Sequence, residues 1–369
     1  MAGLTAAARV LFETAEVLVG GERHLNMVPD TGAERVAWAR PLHLTIDAIE
    51  ARRGQRVAVL ASGDPMWYGI GATLIRRFPR EEMTVLPQPG SFSLAAARLG
   101  WPLADCATIT LHGQPIDSLR LHLAPRRRIL ILSEDGDTPK VVAELLTRAG
   151  WGPSRLTVFA HLGGPREASI TEEAQSWGDR GVPDLNTIAL ACRGAPDARA
   201  LPQLSGLPDD VFEHDGQLTK REVRAATVAA LGPLPGEMLW DIAAGCGSVA
   251  IEWMRAHEGR SAIAIERDTA RAAMIARNSA ALGVPALRIV VAPASKALDG
   301  LPPPSAVFIG GGIGDPGLLP QVWAMLPSGG RLAVSRAEPR GPHHLWRALA
   351  PVTQFCRREI GLRCGVSPV

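Results

Sequence analysis

The chain has 369 residues, 46% of them hydrophobic and 21% charged, with a formal net charge of +2. That length exceeds one ordinary domain and suggests two or three. The balance is that of a globular enzyme, and near-neutral charge with 5% aromatic residues gives no argument for nucleic acid as a partner. No run of 18 apolar residues exists, so no membrane span is expected. The start lacks the basic, apolar, small-residue order of a signal peptide. Cys106, Cys192, Cys246, Cys356 and Cys364 are scattered without a C-x-x-C pair. A reduced, cytoplasmic setting without zinc is therefore expected. The 39 basic residues include only three lysines, Lys140, Lys220 and Lys296. Arginine forks suit a substrate rich in carboxylates, although a GC-rich genome gives the same bias.

Along the chain, residues 57–61 read as a buried strand, followed by a Gly-rich turn and a helix near 71–77. A short strand over 83–87 and a helix over 91–99 come next. Residues 128–132 form another strand with a helix over 140–148, and strands over 156–160 and 187–192 complete a series of parallel type. This alternation predicts an α/β sheet with helices on both faces for residues 1–200. Residues 201–216 shift to Pro, Gly, Ala and Asp, the composition of a linker. A second α/β unit occupies 217–369, with a helix over 222–231 and strands over 238–242, 262–265, 287–291, 306–309 and 331–335. Their order and spacing fit one Rossmann-like domain.

The most informative stretch is 239–254. An apolar strand ends at Asp241, the small residues Ala243-Ala244-Gly245-Cys246-Gly247 make a turn, and a helix starts near Ser248. Small residues let the backbone approach a ligand, and free N–H groups at a helix start face its polar atoms. A second apolar strand ends in Glu266, where a carboxylate can accept both hydroxyls of a ribose. A dinucleotide fingerprint would read G-x-G-x-x-G. Here Asp241 would repel a pyrophosphate but not a sulfonium-bearing amino acid. The run resembles the S-adenosylmethionine turn of class I methyltransferases; a mere tight strand–helix turn is the bland alternative.

A second motif, Ala61-Ser62-Gly63-Asp64-Pro65 with Tyr68-Gly69, leaves the strand at 57–61 by its carboxyl end, and Pro89-Gly90-Ser91 opens the next helix. By chemistry alone an ordinary βα loop and a binding site are equal readings. These residues resemble the tetrapyrrole (corrin/porphyrin) methyltransferase family, and Gly20-Gly21-Glu22-Arg23-His24-Leu25 is similar to a segment of its C5-methylating precorrin branch. The second unit, with Gly216–Arg224 and Asp241–Met254, resembles the C15-methylating, decarboxylating partner. The resemblance covers nearly the whole chain. It implies a two-lobed αβα methylase module followed by a class I methyltransferase domain, acting on a precorrin in cobalamin biosynthesis with S-adenosylmethionine as cofactor.

Two departures from the family pattern stand out. The family opens with a strand and glycine-rich turn, whereas this chain begins at the helix that should follow. The C5 activity is therefore open, and the first module could serve as a docking scaffold. Ala243 replaces the first glycine of the cofactor turn; its methyl is tolerable at negative φ and crowds the ligand otherwise, so weaker binding is expected.

The resemblance carries cofactor contacts to Gly63, Asp64 and Ser91 in the first module, and to Thr219, Asp241, residues 243–247, Glu266 and Ala292 in the second. Thr219 and Glu222 also read as a capping box for the 220–231 helix, and Ala292 with Pro293 as a turn. Tyr68, the single tyrosine, is a substrate candidate, as are Arg221 and Arg224 for carboxylates and Gly311 with Gly312 for room above the methyl group. Cys246 reads as a small filler, because nothing in the sequence would activate it. His343 and His344 diverge on a helix, so no metal is assigned, and His24, His112, His161 and His214 read as structural. The partners expected are a precorrin, no nucleic acid, no membrane, and a second copy of the chain. The rival reading is an RNA-directed methyltransferase or RNA-binding accessory.

Overall fold

The structure, a computed structural model, describes residues 4–335 and the backbone of 352–356. The first lobe begins with α1 (Ala6–Glu13), whose first turn is capped by Thr5 accepting the Ala8 amide. It continues through β1 (Val17–Gly20), α2 (Glu22–Met27), β2 (Glu34–Ala37), α3 (His43–Glu50) and β3 (Val57–Val59). The three strands form a parallel sheet in the order β2-β1-β3. β1 is the centre, and Val17, Leu18 and Val19 are wholly buried.

Helices α4 (Ile70–Leu74) and α5 (Ser91–Leu99) lead to a second lobe. It holds β4 (Cys106–Thr110), β5 (Arg128–Leu132), α6 (Thr138–Arg148), β6 (Arg155–Ala160), β7 (Ala168–Glu173) and β8 (Asn186–Ala191), in sheet order β4-β5-β8-β6-β7. One face packs Ile129, Ile131 and Trp177 against α6, and the other packs Leu130, Phe159 and Ala189 against Phe92 of α5. The expectation of an all-parallel series fails here. Only β4 and β5 run parallel; β8 is antiparallel to β5 and β6, and β7 to β6. Continuous apolar runs report burial on both faces and carry no information on direction. The strand expected over 83–87 is irregular, with Pro87 unable to donate to a ladder.

In the second module come α7 (Arg221–Leu231), β9 (Met238–Ile242), α8 (Ser248–Arg255), β10 (Ser261–Glu266), α9 (Thr269–Ala281), β11 (Arg288–Val291), α10 (Ala294–Ala297), β12 (Ala306–Ile309), α11 (Leu318–Met325), β13 (Arg331–Ser335) and β14 (Val352–Cys356). The sheet order is β11-β10-β9-β12-β13-β14, parallel except for β14. The order reverses between β9 and β12, a switch point whose carboxyl side is the natural crevice of an open α/β sheet. The fold is thus α/β throughout, a two-lobed module followed by a Rossmann-like domain.

The segment 201–216, expected to be a linker, is no loose tether. Leu207 and Phe212 lie in the core with Val228, Leu231 and Trp253. Glu252 accepts the amides of Gly206 (2.7 Å) and Leu207 (2.8 Å). Arg255, at the end of α8, donates to the carbonyls of Pro202 and Leu282. Across the seam α9 packs on the 3-10 segment Ile116–His122, and Gln203 donates to the Leu121 carbonyl. Among the described residues no helix is long and apolar enough to cross a membrane.

Candidate functional site

The carboxyl ends of β9, β10, β11 and β12 lie along one edge of the sheet, on both sides of its switch point. The turn from β9 to α8 is pinned from three sides. The Ala244 amide donates to the Ile265 carbonyl (3.1 Å), the Gly245 amide to Glu266 Oε2 (2.9 Å), and Asn278 Nδ2 to the Cys246 carbonyl (3.0 Å). Gly245 and Gly247 take φ of 59° and 77°. A Cβ at Gly247 would lie 2.8 Å from Ile275 Cγ2, so glycine is required there by both backbone and space.

Ala243 sits at φ 55°, the left-handed region that an alanine enters at a cost of roughly 1–2 kcal/mol. Its methyl faces the loop after β12, where a Cβ on Gly311 would be 3.5 Å away. The Gly310 amide extends the β12–β9 ladder to the Ile242 carbonyl (2.9 Å), which seats Gly311 beside Ala243, while Gly312, at φ 77°, turns towards Leu318. Ala292 closes the far side, its amide donating to the Glu266 carbonyl (3.2 Å).

Two carboxylates are buried under this turn. Glu266 is 4% exposed; Oε1 accepts the Asp268 amide (3.1 Å) and Oε2 the Gly245 amide. Each oxygen keeps a further acceptor position for a ligand hydroxyl. Asp241 accepts the Ala250 amide at Oδ2 (3.0 Å), while Oδ1 is buried with no partner. Burial pushes the Asp241 carboxyl up to about 7; the Ala250 amide opposes this and the Glu266 charge adds to it. A buried acceptor without a donor is costly, and a ligand bringing positive charge or N–H groups would satisfy it. These residues therefore fit a sulfonium amino acid joined to a ribose. Cys246 is buried, and burial pushes its thiol up, away from nucleophilic reactivity.

Two expectations near α7 change. The helix starts at Arg221 with Lys220 at the cap position and no side-chain capping bond, so Thr219 and Glu222 form no capping box. Thr219 is half-buried before the helix, its carbonyl held by Arg224 Nη1 (2.5 Å). Arg224 is not available to a substrate. It is fully buried, pairs with Glu252 (2.6 Å) and Asp209 (3.1 Å), donates to the Leu207 carbonyl, and stacks over Phe212. The cause is helical register: Arg224, Thr227, Val228 and Leu231 share the inward face. Arg221 is exposed, with Nε on the Gly206 carbonyl (2.8 Å).

In the first module, the loop after β3 meets the loop before α5. Gly63 takes φ 60°, and a Cβ there would fall 2.5 Å from Gly90 Cα. Asp64 Oδ1 accepts the Met66 amide (2.8 Å), stiffening the loop, and Gly69 and Gly71 fold onto the Pro65 carbonyl. Gly90 is the cap of α5 and Ser91 its first residue. Tyr68, at φ 52° and 52% exposed, donates its hydroxyl to the Thr108 carbonyl (2.9 Å) and meets Phe92 edge-on. Burial and then the Glu258 charge push its phenol upward. His24, read as structural, stands beside this loop: Nε2 is 2.7 Å from Ser62 Oγ, and Arg23 reaches both. The signal was present in sequence, since Arg23, His24 and Ser62 lie inside the two quoted motifs. What sequence could not supply was the pairing of β1 with β3 that joins them. His343 and His344 lie outside the described residues.

Comparison with known proteins identifies both modules. The profile of the Tetrapyrrole (Corrin/Porphyrin) Methylases matches residues 1–176, and that of the Precorrin methyltransferase domain matches residues 210–335. The fold and these two matches define an S-adenosylmethionine-dependent tetrapyrrole C-methyltransferase of two modules. A protein of Sinorhizobium sp. named precorrin-6Y C(5,15)-methyltransferase (decarboxylating) is 44% identical over 384 positions, covering 96% of this chain and 93% of that protein. One of the same name from Mycobacterium tuberculosis is 39% identical over 389 positions, covering 96% of each. The solved C-terminal domain of a precorrin-6Y C5,15-methyltransferase from Rhodobacter capsulatus is 45% identical, over 36% of this chain and 72% of that one, with a TM-score of 0.34. The chain belongs to the precorrin-6Y C5,15-methyltransferase (decarboxylating) family.

Proposed function

We propose that this chain methylates a precorrin (precorrin-6B/6Y) at C5 and C15 and removes carbon dioxide from one of its acetate arms, giving precorrin-8 in cobalamin biosynthesis. The observation that carries the reading is the pinned turn of residues 241–247 above Glu266, with an unsatisfied Asp241 oxygen beneath it. S-adenosylmethionine supplies an already activated methyl group, so alignment accounts for most of the acceleration. In this reading Glu266 takes the ribose hydroxyls, the small residues of the 243–247 turn let the amino-acid portion approach closely, and Thr219 and Ala292 flank it. Gly311 and Gly312 leave room for the macrocycle, and Arg221 faces its carboxylates. In the first module Gly63, Asp64 and Ser91 hold the second cofactor molecule, with Tyr68 at the substrate side. Decarboxylation uses the conjugated ring as electron sink, and the pocket desolvates the departing carboxylate.

The same proposal places the enzyme in the cytoplasm, acting as a homo-oligomer without nucleic acid. Exposed apolar side chains on α1, Val10 and Leu11, support self-association, which light scattering on the purified protein checks. The central test is incubation of precorrin-6B with isotopically labelled S-adenosylmethionine. A mass gain of two methyl groups less one carbon dioxide is expected. One methyl with decarboxylation would assign the chemistry to the second module alone, and an unchanged mass would overturn the reading.

A further inference from the structure

Arg23, His24 and Ser62 form a cluster that none of the roles above employs. β1 and β3 are neighbours in a parallel sheet, so α2 and the loop after β3 emerge at the same carboxyl edge, the edge at which such sheets bind ligands. Arg23 Nη2 lies 2.9 Å from Ser62 Oγ and 3.0 Å from His24 Nε2, and Nε2 lies 2.7 Å from Ser62 Oγ. A guanidinium only donates, so His24 Nε2 accepts, and the neutral ring carries its proton on the buried, unpartnered Nδ1. Ser62 Oγ accepts from Arg23, and its own proton shares the Nε2 lone pair with the Arg23 N–H, at the shorter distance. Burial and then the Arg23 charge hold the His24 imidazole below its ordinary range. Ser62 is exposed beside Gly63, with the half-buried ring behind it. A hydroxyl backed by a neutral base in this way is a proton acceptor.

We propose that Ser62 and His24, oriented by Arg23, accept the proton that the first module's substrate carbon sheds on methylation. The inference rests on the reading that this module methylates C5. A bridging carbon of the macrocycle bears one hydrogen. Its electron pair forms the new C–CH3 bond as the S–CH3 bond breaks, and that pair stays on sulfur as a thioether. The ring system then holds one positive charge and a carbon bearing both hydrogen and methyl. The C–H pair returns to the conjugated system while the proton passes to Ser62 Oγ and the Ser62 proton to His24 Nε2. The imidazolium so formed, beside the Arg23 cation, returns its proton to water.

The test uses the full chain, labelled S-adenosylmethionine, and precorrin substrate with hydrogen or deuterium at C5, with C5 and C15 methyls resolved by fragment mass spectrometry. In His24→Asn, kcat for C5 methylation falls about 100-fold, while both KM values stay within about twofold. A primary deuterium isotope effect, absent in the native enzyme, appears because proton loss becomes rate-limiting. Ser62→Ala, at an exposed position, moves in the same direction by a smaller factor, and C15 methylation is unchanged in both variants. Native C5 rates in either variant, or a loss of rate with no isotope effect, would overturn the inference. A native enzyme that adds no C5 methyl would instead overturn the reading of the first module, and the pair's role with it.

Discussion

The two modules handle charge in opposite ways. In the first, the ion pairs sit at the surface, as in Arg53–Glu82, Arg98–Glu167 and Lys140–Asp179. Its loops after β3 and before α5 are shaped by backbone against backbone, with Gly63 on Gly90 and Gly69 on Pro65. The second buries Arg224, Asp241, Glu252, Arg255 and Glu266. Arg255 is so enclosed that burial pulls its guanidinium down to about 10. Buried charges must be paired or they are costly. The first module is consequently sensitive to side-chain volume at its glycines, and the second to the removal of a single charge.

The sharpest way to break this contrast is to remove one arginine from each module. Arg224→Ala strands Glu252 in the core and is expected to cost about 3–5 kcal/mol, read from denaturant unfolding of the full chain. Arg98→Ala, at an exposed pair, should leave the midpoint unchanged. Equal effects would end the contrast.

A pH-dependent effect is expected at Asp241. Its carboxyl titrates near 7 in the folded protein against an ordinary value of 3.8. The folded state then holds a proton that the unfolded state has lost, so this group's contribution is full below about pH 4 and disappears as pH rises towards 7. In the cofactor-free protein, the Tm of Asp241→Asn relative to native should climb between pH 4 and pH 7. Parallel Tm curves across that range would count against a raised carboxyl.

The smallest change is expected from Ala243→Gly, which relieves the left-handed strain and returns part of it as backbone entropy. A gain of up to about 1 kcal/mol should appear in thermal unfolding, together with tighter cofactor binding by calorimetry as the methyl facing Gly311 is removed. Weaker binding would mean that the methyl packs usefully against the ligand.

Much of the second module was legible because its central strands, β9, β10 and β12, are short, apolar and buried on both faces. Met238–Ile242, Ala306–Ile309 and Arg331–Ser335 begin and end where the sequence pattern puts them. The first module was harder. β2 carries Glu34 and Arg35 and is largely exposed, and β7 is an edge strand whose outward positions are polar, so neither shows an apolar run. β1 is only four residues long and hides beside the glycine pair it precedes. The meeting of Glu266 with the glycine turn was legible because the two close consecutive strands of one sheet. Arg224 was misread because its neighbours suggested a ligand, although Thr227, Val228 and Leu231 at helical spacing marked its face as the buried one. His24 was missed for the converse reason, since its partner Ser62 lies 38 positions away.

The seam between the modules is drawn at Gly283. It takes φ 82°, and a Cβ there would lie 2.8 Å from the Leu121 amide nitrogen. At this point one main chain rests on another with no side chain between them to lengthen or trim. Any side chain at position 283 would have to part α9 from the 3-10 segment, so the closeness of the two modules at this point is set by the absence of one atom.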